Sequence, residues 1–140
     1  MPADKEKIAK RISEIQTAID HLRKYTELDV KEFISNDEQV AAAKYHLLIM
    51  IEGCISICTH ISTKAFHKVP EGYSACFDIL SNHNIIDSEL GSRLQKMTGF
   101  RNLLIHQYWE IDNQKVHRFI KSDIEDVISY IEVIGQKYLK

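Results

Sequence analysis

Ile8, Ile12, Ile15, Ile19 and Leu22 recur at alternating spacings of four and three, with Lys, Arg, Glu and Asp between them. That pattern is the single apolar stripe of an amphipathic helix and predicts one from about Asp4 to Tyr25. Asp29 and Glu32 then stand at capping-box spacing, an acid in place of the usual Ser or Thr, so a short helical turn is expected over Phe33 and Ile34. Asn36 is placed to cap the next helix, with Asp37 and Glu38 in its first turn. Apolar residues continue from there almost to Phe66, a length of about 45 Å at 1.5 Å per residue. Leu47, Leu48, Ile51, Cys54, Ile55, Cys58 and Ile61 exceed one stripe, as a central helix covered on several sides requires.

The segment His67 to Gly72 (HKVPEG) holds one Pro and one Gly and is the clearest loop in the chain. Tyr73 to Ser81 predicts a short helix. Asp87 or Ser88 then caps a longer one, in which Leu90, Leu94, Met97, Leu104 and Tyr108 share one arc, so the helix is expected to reach Tyr108. Residues 111–121 are polar and irregular in pattern. Ser122 with Glu125 reads as a capping box opening the last helix, which carries Ile124, Val127, Ile128, Ile131 and Ile134. No repeat or linker divides the chain. The expectation is all-α: a single domain over residues 1–140, built as an up-and-down bundle of four main helices plus one or two short ones.

Composition supports this reading. Only 5 Gly and 2 Pro occur in 140 residues, less than half the average share of about 12%, too few turn formers for a sandwich or barrel. The longest uninterrupted apolar run, Leu47 to Ile51, is far short of the roughly 20 residues of a membrane span. The first ten residues, MPADKEKIAK, lack a signal core. A soluble cytoplasmic protein with no membrane partner is expected. Cys54, Cys58 and Cys76 form neither a CxxC pair nor an even set and read as reduced core residues. A net charge of −2 offers no global attraction to polyanions, so nucleic-acid binding would need a local patch.

Seven histidines raise the question of a metal, but no Asp or Glu is followed three residues later by His and no HExxH occurs, so neither a metal nor another cofactor is expected. Glycine-rich phosphate loops are missing as well. Glu52, inside LLIMIEGCISIC, must be paired, protonated or at an interface. The informative stretch is FRNLLIHQYWEID, Phe100 to Asp112. At 100° per residue, Arg101 and Tyr108 edge the core arc, whereas Gln95, Gly99, Asn102 and His106 form a second, polar seam on the opposite face. A one-sided helix has no need of such a seam, which suggests a face meeting a cleft or a second chain. Lys64, His67, Lys68, Arg93 and Lys96 could form a basic patch for nucleic-acid phosphates, although surface lysines are commonly just solvated.

Arg101, Asn102, His106 and Tyr108 match an Arg-x4-His-x-Tyr motif with Asn after the Arg, followed by Trp109, Glu110, Ile111 and Asp112. With the helix order from about Ile8 to Ile134, the chain resembles the HepT toxins of the HEPN superfamily. The resemblance implies a HEPN-like helical bundle, a homodimer with both motifs lining a shared cleft, and metal-independent endoribonuclease activity. It also implies a nucleotidyltransferase-type antitoxin as partner, able to AMPylate the motif tyrosine, Tyr108.

The chemistry follows from the residue types. RNA carries its own nucleophile, the 2′-hydroxyl, so cleavage needs only a proton acceptor, a donor and charge stabilisation at phosphorus. His106, with an unperturbed pKa near 6.5, suits acid or base work. Arg101 can clamp phosphate oxygens as charge develops. Asn102 can orient His106 from one turn away. On an ideal helix, however, Arg101 and His106 point about 140° apart, so two motifs facing each other, or a loosened helix end, are needed to converge them. Two alternatives stand beside this reading. Arg101 could merely pair with Glu52 or another acid while Tyr108 packs in the core, or the chain could be a non-catalytic dimeric adaptor that binds a nucleotidyltransferase or a nucleotide.

Overall fold

The structure, a computed structural model, describes residues 3–140. Helix α1 (Lys5–Thr26) begins where Asp4 accepts hydrogen bonds from the Glu6 and Lys7 amides, and it buries its isoleucine stripe together with Leu22 and Tyr25. The short α2 (Val30–Ile34) has the full capping box between Asp29 and Glu32 and buries Phe33. Helix α3 (Asp37–Phe66) is capped by Asn36 and ends at His67, in the left-handed region at φ 54°. Helix α4 (Tyr73–Asn82) follows the loop, and α5 (Ser88–His106) starts from an Asp87 cap on the Leu90 amide. One 3₁₀ turn, Tyr108–Glu110, leads to α6 (Asn113–Tyr138). The result is an all-α bundle of four long helices and two short ones, with no strand among the described residues.

Helix α3 is its spine and touches all the other helices, most extensively α1. That closeness requires Gly53, because a Cβ there would meet Ile15 Cγ1 at 2.5 Å. By length and a mean hydropathy of 1.5 α3 passes for a membrane span, yet half of that window is buried inside the bundle. The three cysteines are free and buried between helices. Polar groups in the core are mostly satisfied: the Tyr130 hydroxyl donates to the Cys54 carbonyl at 3.1 Å, and His117 Nε2 meets the Leu28 carbonyl at 2.8 Å. Asp123 Oδ2 and, at the start of α6, Asn113 Oδ1 are buried without a partner.

Two boundaries differ from the sequence expectation. The last helix opens at Asn113 under an Asp112 cap, and Ser122 is an exposed residue within it rather than its cap. The stripe that extends it is Val116, Ile120, Ile124 and Val127, all buried. Its spacing of four, four and three is helical, and the interleaved Lys and Arg residues only mark the solvent face. Helix α5 stops at His106, short of Tyr108. Gln107 leaves helical geometry at φ −130° and ψ 36°, turning the chain toward α6 so that the Tyr108 ring meets α3 instead of continuing the α5 arc.

Candidate functional site

The end of α5 lies antiparallel to the first half of α3, and two charged residues interrupt the apolar surface of α3 there. Glu52 meets Arg101: Nε donates to Oε1 at 2.5 Å. The rest of the guanidinium is held loosely, with Nη1 3.3 Å from Asn102 Oδ1 and Nη2 3.5 Å from the Tyr73 hydroxyl. Its carbon lies 4.5 Å from the centre of the Tyr73 ring, a cation–π stack from the first residue of α4. The Arg101 side chain is only 14% exposed, against 39% for Glu52. Arg101 is thus aimed by three elements at once, while its outer edge keeps only long contacts.

Eight residues earlier on α3, about two turns back and some 80° round the helix, Lys44 meets Tyr108. Lys44 Nζ donates to the Tyr108 carbonyl at 3.2 Å and sits 4.4 Å from the ring centre. Burial lowers the pKa of this ammonium below the ordinary lysine value. Trp109 packs edge-on against Tyr108 at 5.0 Å and is otherwise 92% exposed. A pocket of about 320 Å³ opens between Lys44, Tyr108, Trp109, Asp37 and Asn113.

His106, the last residue of α5, is exposed, as are Gly99 and Asn102 of the polar seam, while Gln95 donates to the Ser74 carbonyl at 2.9 Å. Asn102 faces Arg101 instead of His106, as its contact at 3.3 Å records. Because both belong to α5, Arg101 and His106 keep their angular separation, Arg101 turned to α3 and His106 to solvent. Leu103 and Ile105, flanking His106, are 38% and 40% exposed.

Of the basic residues, Lys64 and Lys68 lie exposed at the end of α3 and in the loop after it, and Lys96 lies exposed on α5. Arg93 is tied to α6 by an ion pair with Asp126 at 2.8 Å, so it does not stand free beside them. Among the described residues no three His, Cys, Asp or Glu side chains converge as a metal-binding set.

Sequence reasoning missed Tyr73 and Lys44. Lys44, a lone charge in VAAAKYHLL, carried the same signal as Glu52, a charge inside an apolar helix that must find a partner. Tyr73 carried no signal, since only the turn after the loop brings it beside Arg101.

Arg101, Asn102 and His106 stand at the end of α5 with Tyr108 in the turn after it, in a bundle whose fold is that of the HEPN toxins. The chain belongs to the HepT-like family, matching the family described as Ribonuclease HepT-like over residues 15–134. It is 32% identical over 83 residues to the mRNA nuclease HepT of Shewanella oneidensis, an alignment covering 59% of this chain and 62% of that protein. It is 27% identical over 130 residues to the tRNA nuclease HepT of Aphanizomenon flos-aquae, covering 91% of this chain and 87% of that one. Among solved structures it superposes on a tri-AMPylated Shewanella oneidensis HEPN toxin in complex with MNT antitoxin, with a TM-score of 0.84 and 26% identity over 93% of this chain and 97% of the other.

Proposed function

We propose that this protein is the endoribonuclease toxin of a toxin–antitoxin pair, cutting RNA without a metal ion in a cleft between two copies of the chain. The observation that carries the reading is the aim of Arg101. Glu52 engages Nε alone, at 2.5 Å, which leaves Nη1 and Nη2, with contacts no shorter than 3.3 Å, to take two oxygens of a phosphate. The 2′-hydroxyl attacks the adjacent phosphorus as His106 removes its proton. The 5′-oxygen leaves with a proton from the opposing histidine or from water, and the products are a 2′,3′-cyclic phosphate and a 5′-hydroxyl. The developing charge is stabilised by Arg101.

The separation of Arg101 from His106 on α5 favours a site in which one copy supplies the arginine and the other the histidine. Leu103 and Ile105, exposed beside His106, provide apolar surface for that second copy. The family and the AMPylated neighbour support a nucleotidyltransferase-type antitoxin as the partner. Tyr108 is the residue it modifies: the phenolic oxygen displaces pyrophosphate from ATP, keeps the adenylyl group and gives up its proton.

The deciding experiment is RNA cleavage by the purified protein in excess EDTA, with His106→Ala beside it. Cleavage that leaves cyclic phosphate and is lost in His106→Ala is expected, with DNA and 2′-deoxy substrates inert. A requirement for Mg²⁺, or cutting that persists in His106→Ala, overturns the mechanism. A dimer that binds its partner but never cuts RNA establishes the adaptor instead.

A further inference from the structure

We propose that Lys44, Trp109 and Asn113 form an adenylate pocket beside Tyr108, which seats the adenylyl group that Tyr108 carries: phosphate against the Lys44 ammonium, purine against the Trp109 ring. The inference rests on the reading of Tyr108 as the modified residue and adds where the adduct lies and what holds it.

Three features of the unmodified site point to a ligand of this chemistry. The first is Lys44, a cation only 8% exposed whose partners are a backbone carbonyl and the face of a phenol ring. It forms no ion pair among the described residues. Burying an ammonium without an anion is costly, and here the cost lowers its pKa. Asp37, the acid on the pocket wall, is exposed at the first residue of α3 and leaves Lys44 unpaired. A phosphate esterified to the neighbouring phenol oxygen supplies the missing charge without leaving the ring that Lys44 already covers.

The second feature is Trp109. A tryptophan 92% exposed, touching its neighbour only edge-on at an interplanar angle of 84°, keeps a broad face for a planar base. The third is Asn113, the first residue of α6, which lines the pocket and whose Oδ1 is buried without a donor; a small turn of its side chain offers that acceptor to an exocyclic amine of adenine. Cation, aromatic plate and unsatisfied acceptor surround a pocket of about 320 Å³, within the range of small-ligand sites.

Trp109 is the single tryptophan of the chain, so its emission reports the pocket directly. Two arms test the proposal. In the first, AMP is titrated into the unmodified protein, with adenosine as the probe lacking phosphate. A saturable quench by AMP is expected, with affinity falling at least tenfold in Lys44→Met, which keeps the stem, and retained in Lys44→Arg, which keeps the charge. Adenosine should bind weakly and equally to all three. In the second arm, protein co-expressed with its nucleotidyltransferase and carrying the mass increment of about 329 Da per AMP should show quenched Trp109 emission, relieved in Lys44→Met. Circular dichroism confirms that each variant folds.

Modified protein with unchanged emission overturns the pocket while leaving the Tyr108 reading intact, as does AMP affinity indifferent to Lys44→Met. Should co-expression leave Tyr108 unmodified, the reading of Tyr108 fails, and the AMP titration alone decides whether the pocket binds adenylate.

Discussion

Arg101 and Glu52 meet at 2.5 Å across the α3–α5 interface, and the acid is the more exposed partner of the two. An ion pair built only to hold helices would commit both nitrogens of the guanidinium edge. This one uses Nε alone and leaves the other two with only long contacts. Partly exposed pairs of this kind stabilise by about 1 kcal/mol or less, so the cost of losing it should appear in function more than in folding. Glu52→Gln should lower Tm only slightly and reduce RNA cleavage about tenfold. Arg101→Lys, a point charge without the planar fork, should lose on the order of 10²-fold or more. Comparing single-turnover rates with thermal melts checks both.

Tyr73 stacks on the same guanidinium at 4.5 Å, and its hydroxyl contact is long at 3.5 Å. The ring therefore matters more than the oxygen. Tyr73→Phe should cleave within about twofold of the parent, and Tyr73→Ala should fall by about tenfold, in proportion to a cation–π contact of 0.5–1 kcal/mol or more and the freedom Arg101 gains. Equal loss in both variants would assign the role to the hydroxyl.

The proposal that two copies share each site makes a sharper forecast. Arg101→Ala and His106→Ala homodimers should each be inactive, but co-expressed they form hybrid dimers in which one of the two sites is whole. Half of the dimers are hybrids, so recovery of about a quarter of the parent activity is expected. A site contained in one chain recovers nothing. Light scattering at micromolar concentration should show the dimer itself.

Asp123 is pushed up to about 7 by burial, with the Asp126 carboxylate adding to the effect. The folded protein then holds a proton that the unfolded chain, with an ordinary carboxyl near 3.9, has released. Stability from this group is complete below about pH 4, falls as pH rises toward 7 and is level above. Asp123→Asn should flatten that slope, with a Tm gain of roughly 3 °C at pH 8 and little or none at pH 5. A parallel pair of Tm profiles across pH 4–8 would refute the assignment.

Gly53 allows α1 and α3 to approach, since an added Cβ lies 2.5 Å from Ile15 Cγ1. Gly53→Ala should destabilise by about 1–3 kcal/mol through overpacking. Chemical denaturation measures this, and because Ile15→Ala removes the clashing Cγ1, the double variant Gly53→Ala with Ile15→Ala should lose less than the sum of the two single changes.

The helices were legible in the sequence because each needs only local information. The isoleucine stripe of α1, the capping box at Asp29 and Glu32, and the caps at Asn36 and Asp87 follow from spacing and side-chain reach within a few residues. The spacing of Arg101, Asn102, His106 and Tyr108 was readable for the same reason, since the four stand close together in one segment. Their surroundings were not. The contact that receives Tyr108 beyond the end of α5 comes from Lys44, 64 residues away in the chain, and the start of α6 is held by the core that receives Val116 and Ile120. The partners of Arg101, Glu52 and Tyr73, come from two other helices, and no periodicity within one helix encodes which charge on a neighbour it will meet. Local patterns determine elements because their energetics are short-ranged. The aim of a guanidinium and the neighbours of a buried ammonium are decided only by packing, when apolar faces close and each remaining polar group takes the partner that the closed core leaves within reach.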